Sequence, residues 1–214
     1  GTPSNLQRPV TNLQLPASSS YEIWIVPSTE KVLPERKMLP RAHPNPAQVE
    51  LARNEFESIQ LVLRSSTTLQ QVRVELGELR QTDGQGTISA DHLTWSPVGF
   101  VKTEKPDYDV PHVGWWPDPL LPAAPFDVKS NWPQPVWLTV YAPAGTPAGE
   151  DRGRVKIVPA NAPPSEVQLI VHVRDFDLPS TPTLKTAFDV YPNRIERAYQ
   201  QFFPEWWSRW QGRT

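Results

Sequence analysis

Apolar and polar residues alternate along most of the chain up to Asp177, and that period of two predicts a succession of β-strands. The first strand is expected over residues 21–26, Tyr-Glu-Ile-Trp-Ile-Val. Two more, over 48–52 and 57–64, are joined by a turn at Arg53-Asn54, with Ile59, Leu61 and Leu63 on one face. Val72, Val74 and Leu76 point inward in the next, with Arg73 and Glu75 outward. Asp83-Gly84 and Gly86 mark a turn. A strand pair is expected from Leu93 and Trp95 and then over 98–101. The run from Val136 to Pro143 is rich in β-formers. Residues 144–153 read as a Gly/Pro turn at the surface. Val167, Leu169, Val171 and Val173 form the cleanest alternation, against Gln168, His172 and Arg174. About eight strands at this spacing predict an all-β fold, a two-sheet antiparallel β-sandwich. No internal repeat supports a propeller or solenoid.

Residues 103–135 break the pattern. They hold eight prolines together with Trp115, Trp116, Phe126 and Trp132. Long irregular loops in compact domains are uncommon and are usually functional or disordered, and disordered segments are poor in aromatics. The segment is therefore expected to be an ordered loop that touches a ligand or another domain.

The chain ends differ from the middle. Residues 1–19 are polar and aperiodic, an expected N-terminal arm ahead of a sandwich at 20–179. Two prolines in Asp-Leu-Pro-Ser-Thr-Pro predict a stiff linker from Asp177 to Pro182. In residues 180–214, one more strand is expected over 184–190. A helix over 194–203 is expected to be capped by Asn193, with Ile195, Tyr199 and Phe202 at helical spacing. Trp206, Trp207 and Trp210 crowd the end. One βα unit cannot bury both its faces, so a larger body or a dock on the sandwich is implied.

Composition sharpens this picture. The chain has 214 residues and 26 prolines, well above the roughly 5% average, which suits strand ends and rigid loops and argues against a helical fold. A net charge of −2 with no basic stripe excludes nucleic acid as an expected partner. No apolar run is long enough to span a membrane. The absence of cysteine removes disulfides, zinc-thiolate sites and cysteine nucleophiles.

Little in the way of reactive chemistry stands out. His43, His92, His112 and His172 lie far apart and outside metal-ligand spacings. Asp107, Asp109 and Asp118 match no calcium motif, and no cofactor or metal site is expected. Nucleophile-elbow, dinucleotide and P-loop motifs are missing. Glu150 and Asp151 are adjacent acids, but their Gly-rich surroundings read as a solvated turn. The nine tryptophans suit sugar handling, since an indole packs on the apolar face of a pyranose; core and interface packing is the competing use. Trp115, Trp116, Asp118 and Trp132 make the candidate carbohydrate-binding set: indole faces plus a carboxylate to accept sugar hydroxyls. The same residues also suit a clasp against a neighbouring domain.

Four phrases carry a family likeness. They are Leu51-Ala52-Arg53-Asn54-Glu55-Phe56-Glu57-Ser58-Ile59-Gln60-Leu61-Val62-Leu63, Trp116-Pro117-Asp118-Pro119-Leu120-Leu121-Pro122, Gln134-Pro135-Val136-Trp137-Leu138-Thr139-Val140 and Val173-Arg174-Asp175-Phe176-Asp177-Leu178-Pro179. In order and spacing the chain, from about Tyr21 to Phe188, resembles the N-terminal β-sandwich domain of glycoside hydrolase family 123. Known members of that family are N-acetyl-β-galactosaminidases. The resemblance implies that a (β/α)8 barrel follows, that it holds a substrate-assisted Asp–Glu pair, and that residues 180–214 are its first βα unit. No Asp–Glu pair occurs after residue 180, so the resemblance assigns no catalytic residue here, and this chain alone is expected to be inactive. Glu150, Asp151 and Arg152 stand where the family often carries an aromatic.

Two functions of different class follow. The first is a non-catalytic sandwich, with the start of the barrel, from a bacterial, secreted or periplasmic enzyme that acts on N-acetylhexosamine-containing glycans. Its expected partner is the C-terminal barrel of the same protein, and a glycan where the loop reaches the cleft. The second is a free-standing carbohydrate-binding module with Trp115 and Trp116 as platform. A structural or adhesion sandwich without ligand is a third use of the same fold.

Overall fold

The computed structural model describes residues 20–35, 45–181, 183–187, 189, 191–205 and 208. The chain divides into two compact units, one running to Leu178 and one starting at Pro179.

The first unit is a two-sheet β-sandwich. Its strands are β1 Glu22–Pro27, β2 Ala47–Arg53, β3 Glu55–Arg64, β4 Leu69–Leu76, β5 Leu79–Gln81, β6 Thr87–Ile88, β7 Leu93–Lys102, β8 Trp115–Leu120, β9 Phe126–Val128, β10 Gln134–Ala142, β11 Gly149–Val158 and β12 Ser165–Asp177. One sheet runs β1-β3-β10-β7-β8; the other runs β2-β12-β11-β4-β9, with β5 paired to β11 and β6 to β5. Every pairing is antiparallel except β12 with β2.

The predicted inward rows meet in the core. Leu61 and Leu63 of β3 lie beside Val136, Leu138 and Val140 of β10, all fully buried. Val167, Leu169, Val171 and Val173 supply the facing layer with Val155 and Ile157. Alternation is readable in β4, β10 and β12 because one face of each is apolar and the other more exposed, whereas β3 is buried on both faces from Ile59 to Leu63. Outside the first sheet, a smaller cluster of Val26, Val32, Val62 and Trp24 seats the segment after β1. Gln60 is buried there and its Nε2 donates to the carbonyls of Pro27 (2.8 Å) and Glu30 (2.9 Å), which fixes that segment's turn.

Four expectations are corrected. Residues 103–135 are not one loop, because they contain β8 and β9. β8 is a terminal strand, so Pro117 and Pro119 lose no ladder bond on its free side. The expected strand pair over 93–101 is one ten-residue strand, β7, with a register shift between Val98 and Phe100 where the Pro97 carbonyl accepts from Leu121 N–H (2.9 Å). The turn over 144–153 stops at Ala148. Thr146 N–H donates to the Pro143 carbonyl (3.1 Å), Gly145 supplies the positive φ of 82°, and β11 starts at Gly149. Neighbours on both sides, β12 and β5, draw these polar residues into the sheet.

The fourth correction lies in the second unit. No strand forms at residues 184–187 or 189, and no pairing partner stands among the described residues of this unit; Phe188 and Val190 lie outside them. A lone strand leaves its backbone groups without a ladder. The helix, α1, is Pro192–Phe202, with Tyr191 as cap residue and Asn193 already inside the first turn. Proline is well suited to that first position, where its missing N–H costs nothing. Ile195, Tyr199 and Phe202 follow the predicted spacing and are exposed. The N-terminal arm, His43, Pro182, Trp206, Trp207 and Trp210 lie outside the described residues.

Candidate functional site

The aromatic residues of the 103–135 segment gather around β8. Lys102 pairs with Trp115, Val101 with Trp116 and Phe100 with Pro117. Residues directly opposite in a ladder share a face, and successive residues alternate. Trp115 therefore shares a face with Lys102, Phe100 and Pro117, and Trp116 lies on the other.

On the first face, Trp115 meets Trp132 edge-to-face, with ring centroids 6.0 Å apart and planes at 84°. Trp132 in turn meets Phe100 at 5.4 Å and 80°. Such edge contacts match the positive rim of one ring to the negative face of the next. Lys129 Nζ stands 6.0 Å from the Trp132 ring. Trp115 is 37% exposed and Trp132 half-buried, so the pair makes an open corner rather than a core contact.

On the second face, Trp116 packs edge-on against His112, centroids 5.2 Å apart. Glu35 closes the free edge of β8: its Oε1 accepts from Trp115 N–H (3.3 Å) and its Oε2 lies 3.7 Å from His112 Nε2. Gly114, at φ 146°, makes room for this approach, since a Cβ there would stand 2.9 Å from Glu35 Oε1. Asp118 is exposed, follows Trp116 in the alternation, and forms no hydrogen bond among the described residues.

The four candidate residues thus divide. Trp115 and Trp132 come together, Trp116 and Asp118 lie across the strand from them, and Phe100 and Lys129 join the first pair without having been singled out. Only the register of β8 carries that information, and a proline-rich segment read as loop hides it.

A second feature contradicts the sequence reading. Asp151 is in β11, not in a solvated turn, and is 1% exposed. Its partner in β12 is Val171 and in β5 Gln81. Among the described residues no donor reaches its Oδ2. Burial pushes its pKa up from 3.8 to about 6, because the charged form has lost its water. It stands on the apolar inner face and not in a cleft. A surface depression of about 560 Å³ lies elsewhere, among Asn45, Arg152, Gly153, Arg154, Glu166 and Gln168. Its Arg154–Glu166 pair at 2.8 Å is largely exposed, as in an ordinary polar surface. Among the described residues, no group of three His, Cys, Asp or Glu is placed to hold a metal ion, and no helix is long and apolar enough to cross a membrane.

A family model for the glycoside hydrolase 123 N-terminal domain matches residues 39–159, more than half of the chain. The chain belongs to that family. The fold of the glycoside hydrolase 123 N-terminal domain accords with a solved family 123 glycoside hydrolase from Clostridium perfringens, studied for glycolipid glycan hydrolysis. That likeness has a TM-score of 0.70 and 14% identity over 87% of this chain and 33% of that one. The chain spans about a third of that enzyme's length. A PapD-like domain of human CEP192 is a more distant likeness, with TM-score 0.38 and 11% identity over 82% of this chain and all of that domain. The periplasmic chaperone SfaE gives TM-score 0.34 and 10% identity over 63% of this chain and 58% of its own. No curated protein sequence matches.

Proposed function

We propose that this chain is the non-catalytic N-terminal sandwich, with the opening segment of a (β/α)8 barrel, of a secreted or periplasmic bacterial glycoside hydrolase acting on N-acetylhexosamine-containing glycans. The observation that carries the reading is the family match over residues 39–159. Two others support it. The chain spans about a third of the family 123 enzyme it resembles, and α1 in the second unit carries an apolar row, Ile195, Tyr199 and Phe202, of the kind a barrel helix turns toward its sheet. The test is hydrolysis of a chromogenic N-acetyl-β-galactosaminide by the complete protein. Turnover by the complete protein supports the reading. Its failure on every N-acetylhexosaminide tried overturns it.

The exposed corner of Trp115 and Trp132 favours a second role, contact with the glycan itself, either as one wall of the enzyme's cleft or in a free-standing module. An indole corner offers a flat apolar surface to a pyranose ring, while Trp116 and Asp118, on the opposite face of β8, stand outside that contact. Binding of oligosaccharides to this chain that is lost in Trp115→Ala supports that role. Binding that survives the substitution contradicts it.

A further inference from the structure

We propose that the Trp115–Trp132 corner takes an anionic glycan, one bearing a uronate carboxylate or a sulfate, with Lys102 and Lys129 holding the anion while the two indoles take the ring. The proposal rests on the sugar-contact reading of this corner and adds the chemical class of its ligand.

Lys102 stands directly opposite Trp115 in the β7–β8 ladder, so its ammonium rises from the same face as that indole. Lys129 Nζ lies 6.0 Å from the Trp132 ring on the segment leading to β10. Two cations from separate elements thus flank a single aromatic corner. Neither has a carboxylate partner among the described residues, while Arg53, Arg152 and Arg154 elsewhere on the unit each do. An unpaired surface lysine is ordinary; two at the rim of one open indole corner form a matched set.

Three nearby acids are turned away or already engaged. Asp127, two residues before Lys129, accepts from Gln71 N–H through its Oδ1 (2.8 Å). Glu35 is held by Trp115 N–H and faces His112 along the free edge of β8. Asp118 belongs with Trp116 on the other face by alternation. Glu104, two residues past Lys102, is exposed and lies beyond the end of β7. A neutral sugar on the corner would gain stacking but leave both ammonium groups to water. A uronate or sulfate adds a charge-assisted contact to each without burying a like charge.

The test is a titration of the chain followed by tryptophan fluorescence and by calorimetry, with four probes: a hyaluronan hexasaccharide (carboxylate), a chondroitin sulfate hexasaccharide (carboxylate and sulfate), chitohexaose (neutral) and polyphosphate (charge without a sugar ring). The two acidic glycans are expected to bind at least about tenfold tighter than chitohexaose, and Lys102→Gln with Lys129→Gln is expected to remove that margin. Comparing the two acidic probes shows whether the carboxylate suffices or the sulfate is needed. Trp115→Ala is expected to weaken both acidic glycans about tenfold, and as an exposed residue it can be changed without unfolding the domain, which a thermal melt confirms. Chitohexaose binding as tightly as the acidic glycans, with no effect of the lysine changes, overturns the anionic class but leaves the sugar reading standing. Failure of every saccharide overturns both. Polyphosphate binding as well as the acidic glycans, unaffected by Trp115→Ala, also overturns the proposal, because the site then reads charge alone.

Discussion

Asp151 lies opposite Val171 in the β11–β12 ladder, so a carboxyl shares the inward face of the sandwich with a fully buried valine. The stability consequence follows from its raised pKa. The native state keeps the proton up to about pH 6, while the unfolded chain releases it near 3.8. Between these values the native state binds more protons, so the contribution of Asp151 to stability is full in acid and falls as pH rises toward 6. The shift corresponds to roughly 3 kcal/mol at neutral pH. Asp151→Asn is expected to flatten the fall in urea midpoint between about pH 4 and pH 7 relative to the parent protein. An unchanged slope contradicts the buried, unpaired state described here.

Gln60 tests the outer cluster. Its amide is the clamp on the turn at Pro27 and Glu30, and the residue is buried in β3 opposite Val26. Gln60→Met keeps the volume and removes both bonds, which is expected to cost about 1–3 kcal/mol. A urea midpoint within error of the parent protein would show that the clamp contributes nothing.

Gly153 tests the packing of β11 on the loop between β4 and β5. A Cβ there would stand 2.5 Å from Leu79 Cδ2 and 2.8 Å from the Glu78 carbonyl oxygen. The backbone oxygen cannot swing aside as a side chain does, so Gly153→Ala is expected to destabilise the sandwich by about 1–3 kcal/mol in chemical denaturation. Neutrality would mean that the β5 region gives way freely.

Asn54 ties the end of the sandwich together. At φ 60° it makes the β2–β3 turn; its Nδ2 donates to the Leu178 carbonyl (3.0 Å) and its Oδ1 accepts from the Tyr141 hydroxyl (3.1 Å). Leu178 N–H donates to the Arg53 carbonyl (2.9 Å), and Arg53 pairs with Asp175 and Asp177. Asn54→Gly keeps the left-handed backbone but drops both side-chain bonds. Hydrogen exchange is expected to speed up at Leu178 N–H while the core amides of β10 stay protected. Equal protection at Leu178 contradicts the tie.

The sandwich is legible in the chain because most of its core strands bury one face more than the other, as in the row from Val167 to Val173. Asp151 was not legible. Glycines, a proline and charges surround it, and local chemistry of that kind reads as turn until partners on both sides make it strand. Their place in a proline-rich segment that keeps its aromatics marks Trp115 and Trp116 as candidates. Their separation onto two faces depends on the pairing of β8 with β7, which prolines 117 and 119 conceal from any local pattern. Phe100 reaches Trp132 through a contact between distant segments, while Lys129 is set beside the ring by the turn before β10, in which Trp132 N–H donates to the Lys129 carbonyl (3.2 Å).

The function proposed for this glycoside hydrolase 123 N-terminal domain requires that the chain alone leave glycans uncleaved. Its most direct test is a prolonged incubation of this chain alone with an oligosaccharide ending in N-acetylgalactosamine, read by mass spectrometry. The account predicts intact substrate. Released N-acetylgalactosamine would contradict it.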